Sequence, residues 1–375
     1  MASIINAGVS TPGLIQSADA SGVLQLQSNN VTGLTVGTNA SITVNTSLNF
    51  SDGTTMSTTN SLGMRNRLIN GIMLIDQRNI GASQTITAAA ALAYTVDRWY
   101  AYCTGANVTG QRITSTGTTS SPSQRAYQFT GAASVTAIGF GQRIEASNCF
   151  DLAGTTATLS VNLSNSLLTS VTWTAYYANT ADTFGTLASP TRTQIATGTF
   201  TVNSTLTRYS TQISIPAAAT TGIEILFTVG AQTSGTWVIG NAQLEAGSVA
   251  TPVERRLIPA ELNLCQRYFA VFIGAAYQSI GLGVCASSTN LDIPLYLPSI
   301  MRTSPSLTVV GALSTFAVSD GASTLTPSAI SIADSTGPNS NQVLLRVTGT
   351  FVASRPGRLY VNNNAASGLQ LSSEL

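Results

Sequence analysis

Paired carboxylates would be the clearest sign of hydrolytic chemistry, since glycoside hydrolases use two carboxyl groups about 5 to 9.5 Å apart. The 15 acidic residues of this chain are scattered singly. Glu145 and Asp151 are the closest pair within the central β-rich region, and their spacing matches no catalytic motif. We therefore expect both to lie in a solvated loop, and we expect the chain not to be an enzyme.

The basic residues exclude several further kinds of site. All 16 are arginine, and the chain has neither lysine nor histidine. A Ser-His-Asp triad, a zinc site containing histidine, a Schiff-base lysine and a phosphate-binding P-loop lysine are therefore absent. With a net charge of +1 and dispersed arginines, the chain has no basic stripe for phosphates. We expect no nucleic-acid partner.

The four cysteines stand far apart and form no C-x-x-C pair. This spacing predicts buried free thiols rather than a zinc ribbon or a redox site. No D-x-D-x-D loop of the calcium-binding kind is present either. We expect no cofactor and leave open whether a metal ion such as calcium is bound.

Only 8% of the residues are charged, whereas 43% are hydrophobic. Soluble domains carry roughly 25% charged residues, so here serine, threonine, asparagine and glycine must cover much of the surface. Such a surface suits close packing of subunits or contact with sugars. No apolar stretch approaches the roughly 18 residues of a membrane span, and the start lacks the pattern of a signal peptide. We expect synthesis in the cytoplasm and no membrane insertion.

Alternating apolar and polar residues dominate most of the chain and predict an all-β protein. Val171, Trp173, Ala175 and Tyr177 share one face of a strand, which we assign to the core, and Tyr176 lies on the other face. Many short strands separated by turn residues, with no helices between them, favour an antiparallel jelly-roll β-sandwich. Trp237, at the start of the last of these strands, is also expected to be packed.

The alternation is interrupted at two places. Residues 66–76 have apolar residues near helical spacing, which indicates a short amphipathic helix or a turn. Around Pro259 a charged, proline-bounded joint predicts a short helix with Glu261 in its first turn and Leu262, Leu264, Cys265 and Tyr268 on its buried side. Three glutamates of this region are expected to pair with neighbouring arginines: Glu245, Glu254 and Glu261 with Arg255, Arg256 and Arg267.

Two strings of the sequence carry a specific resemblance. Residues 66–81 (NRLINGIMLIDQRNIG), followed by 94–99 (YTVDRW), resemble the opening of the carbohydrate-binding-module-like domain of many bacteriophage tail-fibre and virion proteins. Residues 237–256 (WVIGNAQLEAGSVATPVERR) look like the closing strand and exit of that domain, and 262–269 (LNLCQRYF) look like its connecting helix. More loosely, residues 13–27 are similar to stem repeats at fibre N-termini, and the final SEL is similar to fibre tips.

The resemblance implies a homotrimeric fibre in four parts. These parts are an N-terminal stem attached to other virion proteins at 1–64, a jelly roll at 65–256, a connecting helix at 257–269 and a C-terminal β-sandwich tip at 270–375. The stem would be completed by identical neighbours or by the virion, although residues 1–64 alone are also consistent with a flexible tail. In the tip, Ile293, Leu295 and Leu297 share one face, as do Val343, Leu345 and Val347, and Pro294 and Pro298 predict an edge strand.

A glycan-binding jelly roll needs outward aromatic rings and planar polar groups on a preformed surface. Alternation places Trp99, Ala101 and Cys103 in the core and Arg98, Tyr100 and Tyr102 opposite. The candidate glycan-binding residues are therefore Tyr100, Tyr102, Tyr176, Asn179 and Asp182; contacts between subunits or sheets are the alternative for the tyrosines. Host-surface polysaccharide recognition by a tail fibre is the favoured function. A head fibre or decoration protein without sugar affinity and a depolymerase tailspike are the alternatives.

Overall fold

The computed structural model describes residues 24–28, 31–36, 42–44, 48–49, 55–56, 64–89, 91–115, 125–273, 275–321, 323–334 and 341–375. The chain divides into two compact units, 1–63 and 64–375. In the first unit, β1 (Leu24–Ser28), β2 (Val31–Val36) and β3 (Ile42–Val44) form an antiparallel sheet, and β4 (Leu48–Asn49) pairs with β5 (Thr55–Met56). Of residues 13–27, which are similar to stem repeats, only 24–27 are among the described residues.

The second unit begins with a sandwich of two six-stranded antiparallel sheets. Its strands are β6 (Gln84–Ile86), β7 (Ala93–Tyr94), β8 (Tyr100–Thr104), β9 (Val108–Thr114), β10 (Arg125–Thr130), β11 (Ala137–Ile144), β12 (Thr156–Asn165), β13 (Ser170–Ala178), β14 (Arg192–Thr201), β15 (Thr207–Ser214), β16 (Ile223–Val229) and β17 (Thr236–Ala246). The first sheet has the order β15-β12-β17-β10-β9-β6, and the second has the order β14-β13-β16-β11-β8-β7. The chain passes repeatedly from one sheet to the other, and the expected all-β jelly-roll sandwich is confirmed.

Large aromatic side chains fill the space between the two sheets. Trp99 stacks on Phe140 with ring centroids 4.9 Å apart, and Trp237 stacks on Phe129 at 5.3 Å. Together with Trp173 these rings belong to one hydrophobic cluster, as the alternation predicted. Full burial of a large apolar side chain contributes roughly 1.5–3 kcal/mol, so the aromatic layer is a main source of the sandwich's stability.

The entry and exit of the sandwich are joined by buried polar groups. The Asn66 amide nitrogen donates to the Ala242 carbonyl at 2.9 Å, and Glu254 accepts the Asn66 backbone N–H at 2.7 Å. Glu261 accepts the backbone N–H of Asn70. Arg256 lies between Glu254 and Glu261 at 3.4 Å from each. These contacts hold the first and last segments of the sandwich against each other.

Of the two conformations considered for residues 66–76, the structure has turns rather than a helix. Asn70 and Met73 both have positive φ angles, 56° and 55°, which an α-helix cannot include. The Asn70 side chain stabilises this path by accepting the Ile75 N–H at 2.9 Å and donating to the Ile75 carbonyl at 2.8 Å. The second joint is helical as expected, since α1 spans Ile258–Gln266 with proline in its first turn.

The remaining strands form two further sheets that enclose a second hydrophobic cluster. They are β18 (Phe269–Ile273), β19 (Ser279–Cys285), β20 (Asn290–Tyr296), β21 (Ser306–Val310), β22 (Phe316–Ser319), β23 (Thr324–Leu325), β24 (Ala329–Asp334), β25 (Gln342–Thr348), β26 (Pro356–Val361) and β27 (Gly368–Ser372). The sheet orders are β18-β27-β21 and β23-β22-β26-β19-β20-β25-β24. Short 3₁₀ helices lie at Ala146–Asn148, Phe150–Leu152 and Leu313–Thr315.

Three local expectations need correction. Strand β20 is not an edge strand, because it lies between β19 and β25; Pro294 is tolerated since β19 pairs with β20 only at Asp292 and Leu291. Glu145 is buried rather than solvated, because Arg267 binds both its oxygens, at 3.1 and 2.9 Å. Because Arg267 is bound to Glu145, it is not available to Glu245, Glu254 or Glu261. Glu245 instead accepts hydrogen bonds from Thr251.

Candidate functional site

The candidate site is the outer face of the second sheet, which points away from the aromatic core. Strand register aligns five residues across this face: Tyr102 opposite Gly139, Gly139 opposite Thr228, Thr228 opposite Thr172, and Thr172 opposite Thr199. We call this set the Tyr102 row. It runs perpendicular to the strands and crosses β8, β11, β16, β13 and β14.

Two glycines let two tyrosine rings lie against this sheet. A Cβ atom on Gly139 would overlap the ring of Tyr102, and one on Gly141 would lie 2.5 Å from the Tyr100 hydroxyl oxygen. Glycine in the middle of a strand marks such a close approach. Tyr102 is half-buried, and its desolvation raises the pKa of its hydroxyl. The ring therefore rests on the sheet as a neutral aromatic surface with one part open to solvent.

Tyr100 shares this face but is covered. Its side chain is 1% exposed, and its hydroxyl donates to Glu224 Oε1 at 2.7 Å. The neighbouring Tyr94 packs edge-on against it with ring centroids 6.4 Å apart, and the Tyr94 hydroxyl donates to the Leu375 carbonyl at 2.8 Å. The expectation of an exposed ring at Tyr100 is wrong, because Tyr94 and Arg143 lie against the ring, and both bind the Leu375 carbonyl.

Glu224 lies at the centre of a charged cluster beneath this end of the face. It is 0% exposed, accepts the Arg143 Nε–H at 2.8 Å and forms an ion pair with Arg192. Arg192 in turn lies over the ring of Tyr176, 4.1 Å from the ring centroid. A buried carboxylate requires such partners. Glu224 therefore fixes Arg192, and through it the half-buried Tyr176, at one border of the face.

The two remaining predicted residues lie in the loop between β13 and β14. Asn179 is exposed, and its side-chain oxygen accepts the Thr193 hydroxyl at 2.8 Å. Asp182 has a φ of 57° and accepts the Ala146 backbone N–H at 2.7 Å. The structure thus brings Tyr100, Tyr102 and Tyr176 onto one face, whereas Asn179 and Asp182 are engaged in holding the loop at its end.

Several residues of this face are not among the predicted glycan-binding residues. Thr172, Thr228 and Thr199 lie on it, as do Gly139 and Gly141. A signal for the glycines was present, because Gly139 and Gly141 are two residues apart and so share one face of β11. Alternation also places Thr172 on the same face as Tyr176, but it does not single out threonines as binding residues, since threonine is common in strands for its β-branched shape alone.

A second surface, on the first sheet, is less suited to sugar stacking. A recess of about 400 Å³ is lined by Thr158, Ser210, Thr211, Gln212, Ser248 and Ala250. It has hydroxyl and amide groups but no aromatic side chain. The face that carries the Tyr102 row is therefore the stronger candidate.

The described part of the chain contains no group of three or more cysteine and acidic side chains placed to hold a metal ion. All four cysteines are free and buried, as expected. Among the described residues, no helix has the length and apolar character needed to cross a membrane.

No protein-family model matches the sequence, and no curated protein is significantly similar to it. Among solved structures, a family 61 carbohydrate-binding module in complex with β-1,4-galactotriose is 11% identical, with a TM-score of 0.31 over 49% of this chain and 99% of that one. The enzymatically active domain of tailspike protein 4 of bacteriophage CBA120 is 14% identical, with a TM-score of 0.31 over 49% of this chain and 22% of that one. A family 11 carbohydrate-binding module from Clostridium thermocellum is 12% identical, with a TM-score of 0.28 over 44% of this chain and all of that one. At these values, the function of this chain has to be argued from its own residues.

Proposed function

We propose that this chain is a non-enzymatic structural fibre protein of a bacteriophage virion and that it binds host-surface glycan on the outer face of its second sheet. The observation that carries the glycan-binding part is the Tyr102 ring, which lies over Gly139 beside outward hydroxyl groups. An aromatic face suits the C–H groups of a sugar ring, and hydroxyl side chains both donate and accept hydrogen bonds. A rigid sheet holds both in place before the ligand arrives, which reduces the ordering cost of binding.

The charges of this face favour binding over hydrolysis. Among its described residues, Glu224 is the only carboxylate, and it is fully buried between two arginines. A glycoside hydrolase of the common type needs two carboxyl groups beside the sugar. This supports the proposal that the chain is not an enzyme. Incubation with host polysaccharide is expected to leave its molecular weight unchanged, and a falling molecular weight would favour the depolymerase alternative.

The glycan-binding part is tested by changing Tyr102 to alanine and measuring binding on an array of bacterial surface polysaccharides, followed by calorimetry. We expect affinity to fall about two- to tenfold, because loss of one aromatic contact is worth roughly 0.5–1.5 kcal/mol. Tyr296→Ala is the matched control, since this tyrosine is 66% exposed on β20 in the other sandwich. Equal affinity of the two variants would refute the assignment of the face, and an empty array would favour the purely architectural role.

The virion role rests on the resemblance of residues 66–81 and 237–256 to fibre proteins. We propose a homotrimer whose residues 1–64 attach to other virion proteins. Light scattering on the purified chain tests the trimer, and a stable monomer at micromolar concentration would refute it. Imaging of labelled particles would distinguish a tail fibre from a head fibre or decoration protein. Finding that purified virions do not contain this chain would contradict the virion role.

A further inference from the structure

The charged groups on the candidate face are already occupied by each other and by the backbone. Arg143 donates from Nε to Glu224 at 2.8 Å, from Nη1 to the Leu375 carbonyl at 2.9 Å and from Nη2 to the Gly185 carbonyl at 3.1 Å. The Arg192 side chain is 13% exposed, paired with Glu224 and stacked on Tyr176. Among the described residues of this face, an anionic sugar would therefore find no cation that is both open to solvent and unpaired.

The hydroxyl groups on the face differ from row to row. Thr174 and Thr197 bind each other at 3.0 Å on one side of the Tyr102 row, and Thr104 and Thr136 bind each other at 2.7 Å on the other side. In the row itself the hydroxyls have no such partners. Among the described residues, the three threonines of the row, Thr172, Thr228 and Thr199, lie on the outer face without the threonine–threonine hydrogen bonds of the flanking rows. Thr172 and Thr228 are half-buried, and Thr199 is exposed.

We propose that the ligand is a neutral glycan that lies across the strands along the Tyr102 row. This inference rests on the function proposed above and specifies its ligand. The row spans four strand spacings of about 4.8 Å, or roughly 19 Å from Tyr102 to Thr199, which suits an oligosaccharide rather than a single sugar. Uncharged hydroxyls on the protein match those of the sugar, whereas a carboxylate brought here would lose water without gaining a cation.

The charge of the ligand is tested by comparing neutral bacterial polysaccharides with polysaccharides that carry uronic or sialic acids on the same array. We expect neutral glycans to bind, and their affinity to change less than twofold between 50 and 500 mM NaCl, because salt screens only charged contacts. Binding of acidic glycans alone, lost in Tyr102→Ala, would overturn this inference and leave the proposed function intact. Absence of all glycan binding would overturn both.

The direction of the ligand is tested with Thr172→Val and Thr228→Val, which remove a hydroxyl and keep the β-branched shape. We expect each to lower affinity about fivefold, the effect of losing one hydrogen bond, with an unchanged melting temperature. Thr109→Val is the control, because Thr109 is exposed on β9 of the other sheet. If both valine variants bind like wild type while Tyr102→Ala does not, the ligand does not follow the row.

Discussion

Replacing Glu224 with glutamine gives the sharpest test of how this face is held. Glutamine has nearly the size of glutamate, so the change removes a charge and creates no cavity. Arg143 and Arg192 would then share one end of the sheet without a carboxylate, and their side chains are only 7% and 13% exposed. The new amide group would also present N–H donors towards guanidinium N–H donors.

The expected loss of stability follows from burial. Removing one partner of a buried ion pair costs about 3–5 kcal/mol, and we expect the lower end, ~3 kcal/mol, because the glutamine oxygen still accepts one hydrogen bond. For a domain of 150–250 residues, each kcal/mol lowers the melting temperature by roughly 2–4 °C. Glu224→Gln should therefore melt about 6–12 °C below wild type, as followed by circular dichroism.

Asp292→Asn provides the matched control. Arg346 binds both oxygens of Asp292 at 2.8 Å, but the two side chains are 40% and 21% exposed. Exposed pairs are worth about 0–1 kcal/mol, so this variant should melt within about 3 °C of wild type. A loss of similar size in both variants, or a loss below 1 kcal/mol for Glu224→Gln, would refute the reasoning that burial makes this cluster structural.

Three further outcomes are expected. Burial raises the pKa of Asp97 from 3.8 to about 6. Because the pKa is higher in the folded state than in the unfolded state, the free energy of unfolding should rise by up to ~3 kcal/mol as pH falls from 7 to 4. Urea titrations of Asp97→Asn should lack this contribution. Gly139→Val should displace the Tyr102 ring, alter near-ultraviolet circular dichroism and abolish glycan binding. Glu374→Gln should lower the melting temperature, since Glu374 pairs with the buried Arg98 and with Arg78.

The alternation of apolar residues predicted which way side chains point, because that depends only on strand geometry. It placed Trp99 and Trp173 in the core and placed Tyr102 and Tyr176 opposite, as the structure confirms. Exposure could not be predicted in the same way. Tyr100 is covered by Tyr94, Arg143 and Glu224, which lie on other strands, and Tyr94 and Arg143 are held in turn by Leu375 at the far end of the chain; no local pattern reports contacts of that kind.

The charged cluster was hidden for a similar reason. Arg143, Arg192 and Glu224 belong to three different strands, and only the register of β11, β16, β13 and β14 brings them together. Read along the sequence, each is an isolated charge in a chain with few charges. A low charged fraction can nevertheless mean that each carboxylate has a structural partner, as Glu145, Glu224 and Glu261 show.

The two strings that carry the resemblance to fibre proteins have a structural role distinct from the candidate site. Residues 66–81 and 237–256 contain Asn66, Ala242 and Glu254, whose hydrogen bonds join the entry of the sandwich to its exit. The Tyr102 row lies outside both strings. A chain that shares these strings is therefore expected to share the closure of the sandwich, because that closure depends on specific buried hydrogen bonds. Its ligand would depend instead on the residues at the outer face of β8, β11, β16, β13 and β14, which can change without disturbing the joint.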